Sequence, residues 1–198
     1  MDRIARRAEA VDADNVTSIV ALAFANDPLW GRAMAVPSGR ADHHAEFWRV
    51  FVDGALRYPE TWITARGEAT SIWIPPNGTE MTAEQEERLE RLATQHLGDQ
   101  AGSYLELLAR FDANHPRDEP HFYLSLLGTH PDFRGQGVGM RLLAHDLELI
   151  DRQRAPAYLE SSNPANNHRY ARLGFEPIGE FSFPGDGPEV TTMWRSAH

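Results

Sequence analysis

The chain contains no cysteine and no lysine, so all 19 of its basic residues are arginine. Without thiols there are no disulfides, no thiolate nucleophile and no Cys-ligated zinc; the absence is neutral on compartment. The arginine-only basic set reads as a compositional bias and carries no function. No apolar run approaches the roughly 18 residues that span a bilayer, so no membrane partner is expected. The opening segment MDRIARRAEAVDAD has basic residues but no apolar core, so a secretory signal is not expected and the cytoplasm is the default location. Positive charge is also scarce: 29 acidic residues leave a formal net charge of −10. Nucleic acids and other polyanions are therefore poor partners, and a cationic ligand is electrostatically welcome. Five of the nine histidines, at positions 43, 44, 115, 121 and 130, raise the question of a metal, but no HxH or HExxH spacing occurs, so no metal site is expected.

What remains suits one domain. The 198 residues are 41% hydrophobic, with five Trp and nine Phe to fill a core. Asp12 or Asp14 can cap a first helix carrying Val16, Ile19, Val20, Ala23 and Phe24 at helical spacing, and Asn26-Asp27-Pro28 stops it. Pro37-Ser38-Gly39 is a loop. A helix over about Asp42 to Tyr58 presents a wide apolar stripe, a core face or a pocket wall. Thr61–Ala65 and Thr70–Ile74 read as a hairpin. Thr82-Ala83-Glu84-Gln85 fits a capping box before a helix that Gly98 ends. A short helix around Tyr104–Phe111 follows, then a polar connector, Asn114–Pro120, which is the best hinge candidate. After a central strand from Phe122, a helix is predicted over about Val138–Arg152, a strand over Ala157–Glu160, a helix opened by Asn163-Pro164 and ended at Leu173-Gly174, and closing strands over Phe175–Phe181 and Val190–Arg195. Helices alternate with apolar strands, so the class is α/β or α+β with a mixed sheet.

The chain is organised around FYLSLLGTHPDFRGQGVG, Phe122 to Gly139. An apolar strand feeds a glycine-rich turn that opens a helix, a device that holds a phosphate on unpaired first-turn N–H groups at the positive end of the helix dipole. Arg134 adds a fixed charge with several donors. A P-loop would need Lys-Ser/Thr where Met140-Arg141 stands. A dinucleotide fingerprint would need glycine at Met140 or Leu142. What matches is Arg134-x-x-Gly137-x-Gly139, although a ligand-free tight turn would use the same glycines.

That hexapeptide resembles the pyrophosphate loop of the GNAT superfamily of N-acetyltransferases. A second segment, Asn163-Pro164-Ala165-Asn166-Asn167-His168-Arg169-Tyr170-Ala171-Arg172-Leu173-Gly174-Phe175, resembles the superfamily's second signature, an Asn near a helix start followed by Tyr-x-x-x-Gly-Phe. Both occur in the expected order and interval. HFYL before the loop, YLESSN and the C-terminal MWR look most like the puromycin N-acetyltransferase-like branch. The resemblance is strong from about His121 to Arg195 and weak before it. It implies a single GNAT domain over residues 1–198, with a mixed, mostly antiparallel sheet flanked by helices. Residues 1–120 would form the acceptor side and 121–198 the acetyl-CoA core.

The resemblance also implies roles. Leu126, Leu127, Gly128 and Thr129 would pair with the pantetheine arm of acetyl-CoA. Arg134, Gly135, Gln136, Gly137, Val138, Gly139 and Met140 would hold its pyrophosphate, and Asn166 would flank the arm. Tyr170 matches the tyrosine that protonates the leaving thiolate; a merely packed tyrosine is the alternative. For the base, Glu160 is the best carboxylate, because a Glu in an apolar strand needs a partner or a pocket; a purely structural carboxylate is equally compatible. His121 is a second candidate by its intrinsic pKa, and a satisfied histidine at a strand entrance is the alternative. The implied activity is acetyl transfer from acetyl-CoA to a small-molecule amine by direct attack on the thioester. A non-catalytic acyl-CoA sensor and a protein or peptide N-acetyltransferase are the competing readings. Trp30, Phe47, Phe51, Trp73 and Tyr123 could line an amine pocket or fill the core. The sequence leaves the acceptor, the acyl-chain preference and the oligomeric state open; a homodimer is compatible with it.

Overall fold

A computed structural model of the chain describes residues 5–36 and 38–198. Pro37, in the expected Pro37–Gly39 loop, and the first four residues of the opening segment lie outside the described residues. A seven-stranded sheet runs β1 (Ala5–Arg7), β2 (Thr61–Thr64), β3 (Ala69–Ile74), β4 (Phe122–Thr129), β5 (Ala157–Ser161), β7 (Glu189–Arg195), β6 (Glu176–Ser182) in spatial order. All neighbours pair antiparallel except β4 and β5. The class is therefore mixed α/β with a mostly antiparallel sheet, as expected.

β1 has no counterpart in the sequence reading. It is three residues long, too short for alternation to register, and it is held from outside its own segment. The Arg6 guanidinium donates to both Asp12 oxygens at 2.6 and 2.7 Å, and the Glu9 N–H donates to Asp12 at 2.9 Å. Asp12 precedes α1 (Ala13–Phe24) as expected, yet its side chain makes no capping bond to that helix, being spent on Arg6 and Glu9.

Pro28 stops α1 but also opens α2 (Pro28–Ala33). A first helical residue needs no N–H partner, so proline costs nothing there. The Asp27 side chain caps α2, accepting from the Leu29 and Trp30 N–H groups at 3.0 and 3.1 Å. The wide stripe of α3 (His44–Ala55) serves both core and pocket wall: Phe47, Trp48, Val50 and Val52 are fully buried, and Trp48 and Phe51 also border a cleft. Burying one such side chain contributes roughly 1.5–3 kcal/mol. α4 (Ala83–Leu97) carries the Thr82/Gln85 capping box expected of it. α5 (Ala101–Asn114) is longer than its apolar residues indicate, because its first turn continues a 3-10 turn that begins at Gly98.

These helices form one apolar cluster over the sheet, joined by Ile63, Ile72 and Leu126. A second cluster is built around α6 (Val138–Asp151), with Trp73, Phe122, Leu124, Leu159, Phe175 and Met193. Asp146 pins α6 to β3: 1% exposed, it accepts from Ser71 Oγ at 2.5 Å and Trp73 Nε1 at 3.1 Å.

β4 changes sides between the two clusters. Its register with β3 slips between Leu124↔Trp73 and Leu126↔Ile72, leaving Ser125 as the extra residue of a bulge. Phe122 and Leu124 pack with α6, whereas after the bulge Leu126 packs under the α1–α5 helices. Without the extra residue, strict alternation would keep 122, 124 and 126 on one face.

Candidate active site

The parallel ladder between β4 and β5 covers only Phe122↔Ala157 to Leu124↔Leu159. β4 then runs on to Thr129 and β5 to Ser161, no longer paired with each other. The strands splay, and the β5-facing edge of β4 beyond the bulge keeps main-chain groups with no strand beside them. A cleft of about 1050 Å³ fills the gap and extends under α4 and α5.

One end of the cleft is backbone. Gly135 and Gly137 hold φ of +77° and +70°, the left-handed region that costs a side-chain-bearing residue energy. Gly137 is the N-cap of α6 and has no side chain to cap it, so the first-turn N–H groups face outward with the positive end of the helix dipole. A Cβ on Gly139 would collide with Thr129 Oγ1, so glycine there lets α6 seat against the end of β4. Arg141 donates to the Gln136 carbonyl at 2.6 Å and braces the turn. Arg134 is turned away from the first-turn amides and onto α1, donating to the Ala23 carbonyl at 2.7 Å. It satisfies a helix C-terminus while its charge stays on the cleft wall.

Beside this end stands the short helix α7 (Asn167–Ala171), entered through a 3-10 turn that Asn163 caps by accepting from the Ala165 N–H at 3.1 Å. It presents Tyr170 to the cleft, its ring edge-on to Phe175 at 6.4 Å. Burial, with the nearby Asp27 charge, pushes the Tyr170 phenol up to about 12, so it stays protonated at neutral pH. Asp27 ties this region to α2 by accepting from Ser162 Oγ at 2.8 Å, and burial raises its own carboxyl.

The other end is built from titratable side chains. Glu80, in the loop after β3, accepts from Ser125 Oγ at the bulge. Burial lifts its carboxyl to about 7, opposed by the Ser125 bond and assisted by the Glu160 charge. The Glu160 side chain is 2% exposed and places its Oε1 3.7 Å from His115 Nδ1. Tyr123 and Tyr158 stand edge-on to His115 at 4.8 and 5.0 Å, and burial beside the carboxylates raises both phenols far above their usual range. His121 contacts Glu119 and His115 through its two ring nitrogens, and burial lowers its pKa. Beyond this cluster lies an apolar wall that includes Phe24, Trp30, Phe51 and Phe111, with the Trp30 and Phe111 rings stacked at 5.5 Å.

Of the residues singled out from the sequence, Tyr170, Glu160, His121, Leu126, Leu127, Thr129, Arg134, Gly135, Val138, Met140 and Asn166 line the cleft together with Gly137 and Gly139. Gly128 and Gln136 do not. Gly128 is buried against α1, and Gln136 turns its amide to the Asp132 carbonyl at 3.3 Å. Trp30, Phe51 and Tyr123 are cleft residues, while Phe47 and Trp73 are core. Sequence reasoning missed Glu80, Ser125 and the role of His115 in the cluster. Only Ser125 left a signal, as a polar residue inside an apolar strand. Among the described residues, no three His, Asp or Glu side chains are grouped as metal ligands.

Residues 95–177, from the last turns of α4 to the start of β6, match the acetyltransferase (GNAT) domain model. A structure described as a histone acetyltransferase and related acetyltransferase from Corynebacterium glutamicum is similar to 100% of this chain over 98% of its own, at 22% identity and a TM-score of 0.64. The arylalkylamine N-acetyltransferase 2 of Aedes aegypti is similar over 98% of both chains, at 14% identity and 0.68. The polyamine N-acetyltransferase of Drosophila melanogaster is similar over 97% of this chain and 98% of its own, at 16% and 0.64. The fold is that of the GNAT acetyltransferases, and the domain match with these neighbours supports an acetyltransferase enzyme.

Proposed function

We propose that this chain transfers the acetyl group of acetyl-CoA to the amine of a small molecule bound at the acidic, aromatic end of the cleft. The observation that carries the reading is the splayed β4–β5 junction, with an amide-lined helix entrance on one side and two buried carboxylates on the other. Acetyl-CoA brings a thioester carbonyl carbon and a thiolate leaving group. The turn from Gly135 to Met140 binds the diphosphate through main-chain N–H groups and the α6 dipole. The β4 edge beyond Ser125 pairs with the amides of the pantetheine arm, and main-chain N–H groups near the bulge polarise the thioester carbonyl.

The acceptor reaches the protein as a cation, because an alkylamine is protonated at neutral pH. Glu80 and Glu160 attract the ammonium and, acting as a coupled pair, take one proton from it. A carboxyl poised near 7, as Glu80 is, suits that task. Tyr170, kept neutral by burial, donates its proton to the departing sulfur, and the second proton shed by the attacking nitrogen as it becomes the amide restores the phenol. The agmatine, polyamine and arylalkylamine acetyltransferases among the structural neighbours are consistent with a small amine as acceptor. HFYL, YLESSN and MWR keep the puromycin N-acetyltransferase-like branch as the subfamily reading, and the cytoplasm remains the expected location.

Calorimetry with acetyl-CoA, followed by thiol release against a panel of primary amines, tests the reading. Binding and amine-dependent release are expected. Tyr170→Phe should lower turnover about a hundredfold or more while leaving acetyl-CoA affinity within about twofold. A folded protein that binds no acetyl-CoA sinks the proposal. Binding without release against any amine points instead to an acyl-CoA sensor.

A further inference from the structure

A pair of histidines beside the carboxylates has no part in the reaction above. His115 follows the last residue of α5, His121 precedes β4, and the connector between them folds back until their Nε2 atoms stand 3.1 Å apart. Hydrogen-bond logic fixes both tautomers. The Glu119 carbonyl oxygen only accepts, so His121 Nδ1, 2.8 Å from it, carries the hydrogen. Burial keeps His121 neutral, so its Nε2 offers a lone pair and the His115 Nε2–H donates to it. The lone pair of a neutral His115 then lies on Nδ1, the atom 3.7 Å from the buried Oε1 of Glu160. The His115 side chain is 24% exposed, against 2% for Glu160.

Resting on the acetyl-transfer reading, we propose that His115 carries the acceptor's proton from Glu160 to solvent, and that His121 is a positioning residue that sets the tautomer His115 needs. The proton that the Glu80–Glu160 pair takes from the ammonium nitrogen comes to rest on a Glu160 oxygen, which becomes a carboxylic acid. It passes to His115 Nδ1, leaving Glu160 charged and His115 an imidazolium, and a water takes it from Nδ1 to restore the neutral ring. The 3.7 Å gap exceeds a direct hydrogen bond, and a small side-chain rotation or one water closes it. The groups around the relay favour this direction. Glu80 and Glu160 supply negative charge from the loop after β3 and from β5. Tyr123 and Tyr158 stay neutral, the Tyr158 hydroxyl turning to the Asn114 carbonyl at 3.4 Å. Trp194 of β7 closes the far side of His121 at 5.1 Å. A buried base with no exit would hold its proton into the next cycle; the exposed edge of His115 is that exit.

The test has two arms on the full chain. Histidine labelled with nitrogen-15 reports tautomers by long-range proton–nitrogen correlation at pH 8 without ligand, with His115→Gln and His121→Gln assigning the signals. Expected are Nδ1–H on His121 and Nε2–H on His115, with Glu160→Gln moving the His115 Nδ1 resonance and leaving His121 in place. In the second arm, thiol release with phenethylamine and putrescine is followed in His115→Gln. Turnover should fall about tenfold or more and recover on adding free imidazole, with acetyl-CoA affinity unchanged. Opposite tautomers, or a folded His115→Gln that imidazole does not rescue, overturns the relay. Expected tautomers in a protein that acetylates no amine overturn the function instead, and the relay with it.

Discussion

The two ends of the cleft are built from opposite materials. At the α6 end the groups are main-chain N–H, on a turn shaped by glycines at 135, 137 and 139 and braced by Arg141. At the other end they are side chains, Glu80, Glu160, His115 and Tyr123, with Glu80 and Tyr123 shifted by burial and neighbouring charge. An amide does not titrate, so the first end should respond to shape and hardly to pH. The second should respond to pH and charge.

The sharpest way to break this contrast is Glu80→Gln. With the carboxyl at about 7, wild-type turnover should rise as pH climbs through 7 and Glu80 loses its proton, then level off. The variant should lose that limb and about a hundredfold in turnover. An unchanged pH–rate profile would show that Glu80 is not part of the base. At the other end, Gly137→Ala forces a side-chain-bearing residue to φ +70°, which costs about 1–2 kcal/mol and should weaken acetyl-CoA binding about tenfold, equally at pH 6 and pH 8. Pairing pH dependence with the glycine variant would blur the two ends into one.

Arg134→Ala sharpens the comparison further, since Arg134 serves α1 as well as the loop. A loss of acetyl-CoA affinity of about three- to tenfold should come with a melting temperature lower by a few degrees. Affinity lost without stability lost would place the guanidinium on the ligand alone. The smallest effect belongs to a residue outside both ends. The Arg6 guanidinium holds the Asp12 carboxyl at about 2, below its unfolded value of 3.8. The stability this contributes is present above pH 4 and fades as pH falls toward 2. Asp12→Asn should therefore melt a few degrees lower at pH 7, with a much smaller difference at pH 2.5, and turn over normally. A kinetic defect in Asp12→Asn would mean that β1 reaches the cleft.

Legibility followed the same division. The loop and α6 could be read from Arg134-x-x-Gly137-x-Gly139, because a left-handed turn and a close strand–helix approach each demand glycine at a fixed position. Asn163-Pro164 announced its helix for a similar local reason, the cap and the proline at the first position. Pro28 was read only as a stop, since the same residue that ends one helix can begin another and the choice rests with Asp27 behind it. β1 depends on Arg6 meeting Asp12 across a turn, and the bulge at Ser125 on how β3 and β4 share two cores. Neither leaves a period in the chain.

By itself, the sequence determined whatever a few adjacent residues decide: the helix starts, most strands, the phosphate-type turn, the absence of thiol chemistry and the negative charge that welcomes an amine. The tertiary structure alone decided that Glu80, Ser125, His115 and Glu160, far apart in the chain, would meet in one buried pocket. Burial and mutual charge, not residue type, set the protonation of Glu80 and Tyr170. Those are properties of neighbours in space, and spacing along the chain does not encode them.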